Sequence, residues 1–307
     1  MTESTKLTDP SLARLAEFAF SPEERLRFPL DASHRARIVN AALEEDAADA
    51  DITTNATVDP ARGARASLVA RRSGVLCGTL LAIEAFKQRD PSITIREDSH
   101  DARTVDRGDT ILFLTGNARG MLSAERVALN FMQRLSGIAT LTAQYVHEVR
   151  GTSARILDTR KTTPGWRKLE RYAVRCGGGM SHRSDLEQAV LIKDNHLAAV
   201  DHDIGLAVQR ARAIAGAGTR VEVECDDVEQ VDEAAHAGAD IIMLDNMGLQ
   251  DMRDAVKIVA GRAVIEASGG VNLQTVRGIA ETGVNWISVG ALTHSASALD
   301  LALDFED

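Results

Sequence analysis

From about residue 150 onward the apolar positions repeat. Short, nearly continuous apolar runs occur at Arg155–Asp158, Ala189–Lys193, Arg220–Cys225, Asp240–Asp245, Arg262–Ala267 and Asn285–Gly290. Stretches of helical periodicity separate most of them, at Ile204–Ala215, Val228–Ala237, Leu249–Val259 and Leu273–Thr282. A strand that is apolar on both faces is buried on both faces, the usual state of a parallel sheet covered by helices. Six such units predict an α/β fold with a (β/α) barrel, incomplete at this number, and leave a doubly wound sheet as the alternative.

The earlier part of the chain is mixed. Ser33–Ala48 reads as a helix with a modest apolar face at Ile38, Val39, Ala42 and Leu43, followed by an acidic stretch that suits a solvated helix end. Ala66–Val69, Ile93–Ile95 and Thr110–Thr115 read as strands, and Ser123–Leu135 as a helix with Ser123 as N-cap and Arg126 in its second turn. This predicts an N-terminal α+β domain over residues 1–135 and a barrel over 136–291. Five of the six prolines fall by residue 91 and twenty of the 23 glycines follow residue 100, as expected of two differently built domains.

The 307 residues are 44% apolar and 26% charged, enough to bury a core without staples. A net charge of −10 and an aromatic content of 4% argue against non-specific nucleic-acid binding. Cys77, Cys176 and Cys225 lie far apart with no CxxC pair, so reduced thiols in a cytoplasmic protein are expected. Met1–Leu30 carries several acids and no continuous apolar stretch, unlike a secretory signal. Val75–Phe86, the most apolar window, holds Glu84 and is shorter than the ~18 residues of a membrane span.

Chemistry in such barrels gathers at the C-terminal strand ends. Here they give Asp158-Thr159-Arg160-Lys161, Lys193-Asp194-Asn195-His196, Glu222 and Glu224, Asp245-Asn246, and Glu266 with Ser268-Gly269-Gly270. Charge ending five successive buried strands points to a shared cleft. Alternation puts Glu222 and Glu224 on one face, with Glu224 nearer the cleft and Glu222 suited to partner a cleft cation. Ser268-Gly269-Gly270 and Val289-Gly290-Ala291, each between a strand and a helix, suit a phosphate cradle. Residues 150–193 invert the global charge, with ten Lys and Arg against four acids, a local net of +6. Arg167, Lys168 and Arg171 fit a solvated helix face, whereas Arg160, Lys161, His182 and Arg183 sit in turns and suggest a multiply anionic substrate. Gly177-Gly178-Gly179 reads either as a flexible turn or as a place where backbone approaches a ligand. His182, His196 and His294, each taken alone, are more often structural. No spacing suggests zinc, while Mg²⁺ carried by substrate phosphates fits.

The segments Asp158–Gly165, Tyr172–Gly179, His182-Arg183 and Leu191–His196 closely resemble the quinolinate phosphoribosyltransferase family, as do Glu45-Asp46 through Thr54, Glu125-Arg126 with Leu129-Asn130, Leu135–Thr140, Val221–Glu224, Met243–Asn246 and Glu266–Gly270. The resemblance runs from about residue 35 to the C-terminus. It implies a sandwich-like α/β first domain, joined again by the final segment 292–307, and an incomplete barrel. It implies transfer of phosphoribosyl from phosphoribosyl pyrophosphate to quinolinate with decarboxylation, in NAD biosynthesis. It further implies a homodimer, with higher assembly of dimers left open, in which Arg126 serves the neighbouring subunit's site. By carry-over, Thr159, Arg160, Lys161, His182, Arg183 and Lys193 match the cationic substrate site, with Lys161 catalytic. Glu224 and Asp245 match the catalytic acidic pair near ribose and outer-sphere Mg²⁺, and Ser268, Gly269, Gly270, Val289, Gly290 and Ala291 match the phosphate loops. Two departures are Ala47-Ala48-Asp49-Ala50, where members often carry glycine, and Met180-Ser181, where asparagine often precedes the histidine. The rival readings are a transferase using nicotinate, a Schiff-base aldolase built on Lys193, and a non-catalytic or molybdate-system relative on the same scaffold.

Overall fold

The computed structural model describes residues 26–216 and 218–306, which divide into two compact units. One comprises residues 26–143, 162–178 and 292–306, the other 144–161 and 179–291. The reading of Met1–Leu30 falls almost wholly outside the described residues.

In the first unit, α1 (Ala32–Glu45) starts where the Asp31 carboxylate accepts the His34 N–H at 2.8 Å, and it buries Val39 and Leu43. The acidic stretch then turns. Ala47, in the glycine-poor spacer, adopts φ 49°, a left-handed conformation that costs a non-glycine residue energy. The turn leads to α2 (Ile52–Thr57), capped by Asp51, which accepts the Thr54 N–H at 2.9 Å. The chain continues through β1 (Gly63–Ala70), β2 (Gly74–Val75), α3 (Thr79–Arg89), β3 (Thr94–Glu97), β4 (Thr104–Val105) and β5 (Thr110–Asn117). The helix expected at Ser123–Leu135 is α4, and it runs from Ala118 to Glu148. Ser123 is therefore not an N-cap. It lies inside the helix, and its hydroxyl donates to Asp51 Oδ2 at 3.1 Å. The apolar stripe carries the helix upstream, because Ala118 and Met121 are buried along with Ala124.

Next come β6 (Arg155–Leu157), α5 (Arg167–Cys176), β7 (Val190–Ile192), α6 (Asp194–Ala198), α7 (Ile204–Ala215), β8 (Val221–Cys225), α8 (Val228–His236) and β9 (Ile241–Asp245). The chain ends with α9 (Leu249–Val259), β10 (Val264–Ser268), α10 (Val276–Ala280), β11 (Trp286–Ser288), α11 (Ala291–His294) and β12 (Leu301–Phe305). The first unit's main sheet is antiparallel in the order β12-β1-β5-β3, and Ala66–Ala70 of β1 pair with the whole of β12. Helix α5 belongs to this unit. Arg171 is buried on it rather than solvated, so that part of the sequence reading is corrected: the helix packs on two faces, not one. Gly177 closes the helix where a Cβ would overlap the Ala139 carbonyl, so this first glycine of the triplet serves packing. All three cysteines are free and buried. Cys77 and Cys176 are neighbours in space, and burial followed by the Cys176 thiol pushes the Cys77 thiol well up, so it stays protonated.

The second unit is a six-stranded parallel sheet in the order β6-β11-β10-β9-β8-β7. The first strand of the series pairs with the last, and β7 ends the opposite edge, which is the connectivity of a barrel left open between β6 and β7. Among the described residues, only an isolated bridge from Leu157 to Met180 extends past β6. Register fixes which residues share the inner face. Glu224 pairs with Met243, Met243 with Glu266, and Asp245 with Ser268, and paired residues point the same way. Below them Leu157, Ile241, Val264 and Trp286 form an apolar floor, packed by Met180. The alternate residues Val221, Val223, Ile242, Leu244, Ile265 and Ala267 are buried on the outer face, as strands covered by helices require.

Candidate active site

Above the apolar floor, the inner face of the barrel unit turns polar in two steps. Glu222 and Glu266 come first and are 1% and 0% exposed. Glu224, Asp245 and Ser268 follow at the strand ends and are partly open to solvent. A strand that alternates in and out delivers this order by itself: Val264, Glu266 and Ser268 are successive inward residues of one strand.

His182 enters from the segment between β6 and β7. Its backbone N–H donates to Asp158 Oδ1 at 2.9 Å, and Asp158 is fully buried at the end of β6. The ring Nε2 lies 3.1 Å from Glu222 Oε2 and 3.3 Å from Glu266 Oε2. The ring Nδ1 accepts the Arg183 N–H at 2.7 Å, which places the ring proton on Nε2. Burial works to lower the His182 pKa, but the Glu266 and Glu222 carboxylates outweigh it and raise it to about 11. That rise needs a second ring proton on Nδ1, but Nδ1 already accepts the Arg183 N–H; the geometry therefore keeps a single ring proton, on Nε2, facing the carboxylate pair. Burial, then the Glu266 charge, pushes the Glu222 carboxyl up.

The cations converge. Burial and the neighbouring Arg160 guanidinium hold Arg183 below its ordinary pKa. Two guanidiniums close enough to repel one another favour an anion between them. Arg183 Nη1 donates to Ala189 O at 3.0 Å, which orients the fork. Lys161 follows in an exposed turn whose N–H donates to Thr159 Oγ1 at 3.1 Å. Lys193, at the end of β7, reaches Glu224 Oε2 with its ammonium. The Lys193 N–H donates to His196 Nδ1 at 2.9 Å, so His196 serves as a local cap that sets the lysine's backbone.

At β9 and β10 the phosphate-loop expectation meets detailed geometry. Gly269 and Gly270 adopt φ 89° and 61°, and a Cβ on Gly269 would overlap the Asn246 amide. Asn246, itself at φ 55°, donates its N–H to Ser268 O at 2.9 Å and its side-chain N–H to Asp245 Oδ2 at 2.9 Å. Val289 donates its N–H to Leu157 O at 3.0 Å, tying the Val289-Gly290-Ala291 turn to the end of β6. The barrel unit therefore holds Thr159, Arg160, Lys161, His182, Arg183, Lys193, Glu224, Asp245, Ser268, Gly269, Gly270, Val289, Gly290 and Ala291. Arg126 lies elsewhere, exposed on α4 in the first unit. The role of Asn246 as a buttress and the pairing of Glu266 with His182 went unseen in the sequence. The signals were present: an asparagine directly after a strand-end aspartate, and a glutamate in an otherwise apolar strand.

Comparison with known proteins adds independent findings. The family described as "Quinolinate phosphoribosyl transferase, N-terminal domain" matches residues 51–136, and "Quinolinate phosphoribosyl transferase, C-terminal domain" matches residues 138–304. The chain is 41% identical over 276 residues to the carboxylating nicotinate-nucleotide pyrophosphorylase of Mycobacterium leprae, spanning 87% of this chain and 95% of that one. It is 40% identical over 268 residues to the probable carboxylating nicotinate-nucleotide pyrophosphorylase of Bacillus subtilis, spanning 87% and 92%. The solved nicotinate-nucleotide pyrophosphorylase of Francisella tularensis superposes with a TM-score of 0.85 at 39% identity, over 90% of this chain and 98% of that one.

Proposed function

Because this chain belongs to the quinolinate phosphoribosyltransferase family, we propose that its barrel joins quinolinate to phosphoribosyl pyrophosphate, giving nicotinate mononucleotide, pyrophosphate and CO₂. The observation that carries this reading is the cation set of Arg160, Lys161, Arg183 and Lys193 beside a carboxylate pair and two glycine loops in one barrel mouth. The protein's net charge of −10 does not oppose it, because substrate anions meet the local field and not the average.

In this scheme the glycine loops after β10 and β11 hold the phosphate groups with backbone N–H donors. Arg160, Lys161 and Arg183 orient the two quinolinate carboxylates. Pyrophosphate leaves C1 of the ribose with the bonding pair, and the sugar acquires oxocarbenium-like charge that Glu224 and Asp245 stabilise. The pyridine nitrogen bonds to C1. Once cationic, the ring accepts the electron pair of the C2–carboxylate bond as CO₂ departs, and a proton then replaces it at C2. The scheme requires no side chain as base or covalent nucleophile. Glu224 and Asp245 also offer a hard oxygen donor set of the kind Mg²⁺ takes through water. Held there through water with phosphoribosyl pyrophosphate, Mg²⁺ would supply charge neutralisation to the pyrophosphate. Lys193 pairs with Glu224 through its ammonium.

The same reading takes the protein as a homodimer in which Arg126 completes the neighbouring subunit's site. An Arg126→Ala chain mixed with a Lys193→Ala chain then regains partial activity after subunit exchange, and no recovery refutes the shared site. It also takes the protein as cytoplasmic. Among the described residues no helix is long and apolar enough to cross a membrane. Incubation with quinolinate, phosphoribosyl pyrophosphate and Mg²⁺ tests the activity directly, through the appearance of nicotinate mononucleotide.

A further inference from the structure

The reaction scheme leaves Glu222 and Glu266 unused, although they are the two most deeply buried acids of the barrel face. They stand on β8 and β10 with β9 between them, and both Oε2 atoms approach one atom, His182 Nε2, at 3.1 and 3.3 Å. Glu222 Oε1 and Glu266 Oε1 are buried and make no hydrogen bond. The other ring nitrogen of His182 is taken by the Arg183 N–H at 2.7 Å, and the His182 backbone N–H by Asp158 at 2.9 Å. Both ring nitrogens therefore face the protein. The histidine works as a joint that ties the segment carrying Arg183 to the end of β6 and to the bodies of β8 and β10.

A purely structural explanation of the two acids is weak. Replacing a buried ion pair by apolar residues of similar volume is commonly neutral or stabilising, whereas removing one partner alone is costly. The inner face already accepts apolar residues at Ile241, the direct partner of Glu222, and at Val264, one inward step below Glu266. The fold has no need of charge at this level, but a catalytic segment that must stay in register does.

We propose that Glu222 and Glu266 are positioning residues, which act through the His182 ring to hold the Arg183 amide and guanidinium where a quinolinate carboxylate binds. This rests on the phosphoribosyl-transfer reading, and it concerns the quinolinate half of the site. The phosphate loops hang on Asn246 and Asp245 instead.

The test compares Glu222→Gln, Glu266→Gln and Glu266→Leu with the wild-type protein in steady-state assays with each substrate varied in turn. The glutamines keep an acceptor oxygen and remove charge, and the leucine removes both. KM for quinolinate is expected to rise by about 10–100-fold, the usual scale for losing an outer partner of a site residue. KM for phosphoribosyl pyrophosphate is expected to stay within about twofold, and Glu266→Gln to remain closer to wild type than Glu266→Leu. The ¹⁵N signals of the His182 ring, identified by their loss in His182→Asn, are expected to show one fixed Nε2–H tautomer in the wild type and tautomer averaging in the glutamine variants. Unchanged quinolinate KM, an equal rise for both substrates, or an unaltered ring signature overturns the proposal. Should the wild type fail to make nicotinate mononucleotide, the functional reading falls, and the histidine signature still decides whether the two acids hold the ring.

Discussion

The two units bury glutamates in opposite ways. In the first, Glu170 on α5 is 0% exposed and fully occupied: Arg134 Nη2 donates to it at 2.9 Å, Thr163 N at 3.0 Å and Thr163 Oγ1 at 2.9 Å. Both of its oxygens are used, and Arg134 adds donations to Ala296 O at 3.0 Å and to Thr293 O. In the barrel unit, Glu222 and Glu266 crowd against one another and share a single imidazole. A saturated buried acid stabilises a fold, whereas an under-saturated pair has to be held in place by the packing around it. The difference separates an acid that builds structure from acids that aim another residue.

Removing the saturated acid gives the largest effect. Glu170→Ala strands Arg134 in a part-buried position and is expected to cost about 3–5 kcal/mol of stability, read by chemical denaturation. The quinolinate KM of the folded fraction is expected to stay unchanged, and a shifted KM with intact stability breaks the contrast. Lys161→Ala is its mirror image. The lysine is exposed, so the melting temperature is expected to hold while kcat/KM falls by at least ~10²-fold, the scale of one lost preorganised electrostatic donor. Near-normal turnover refutes its assignment.

Gly269→Ala lies between these extremes. Its φ of 89° and the adjacent Asn246 amide make any side chain strained, at a cost of order 1–3 kcal/mol. The loss is expected in KM for phosphoribosyl pyrophosphate rather than for quinolinate, and a loss confined to quinolinate kinetics removes the phosphate-loop role. Asp51, a solvent-facing acid, sharpens the comparison at the small end. The Thr54 hydroxyl and N–H, with the Ser123 hydroxyl, hold its pKa below 3.8. Its folded pKa thus lies below its unfolded one, so its contribution is present above about pH 4 and fades as pH falls through the folded value. Asp51→Ala is expected to cost about 1 kcal/mol at neutral pH and progressively less in acid, measured by denaturation across pH. A cost independent of pH means that the carboxylate charge contributes nothing to the cap.

Much of the barrel was legible because strands buried on both faces leave nearly continuous apolar runs separated by helical periodicity. Ile204–Ala215 and Leu249–Val259 have the bounds that their apolar periodicity indicates. The strand-end charges were legible for the same reason, since buried strands leave few places for polar residues. Contacts across long separations left no such mark. Nothing local to Cys77 signals that Cys176 lies beside it. Nothing in His182 signals that its ring turns inward to Glu266, 84 positions later, rather than out to a ligand. Ser123 misled because a serine before an apolar run satisfies the capping rule equally well when its hydroxyl bonds a distant Asp51. Arg171 misled because a helix packed on two faces carries more charge inside than its sequence pattern suggests.

The central claim is that this barrel couples phosphoribosyl transfer to loss of one carboxylate. It is tested most directly by incubating the wild-type protein with phosphoribosyl pyrophosphate, Mg²⁺ and quinolinate labelled in the carboxylate adjacent to the ring nitrogen. The account predicts labelled CO₂ and nicotinate mononucleotide in equal amounts, with nicotinate failing to replace quinolinate. Nicotinate mononucleotide formed from nicotinate without CO₂, or binding of phosphoribosyl pyrophosphate with no product from quinolinate, contradicts it.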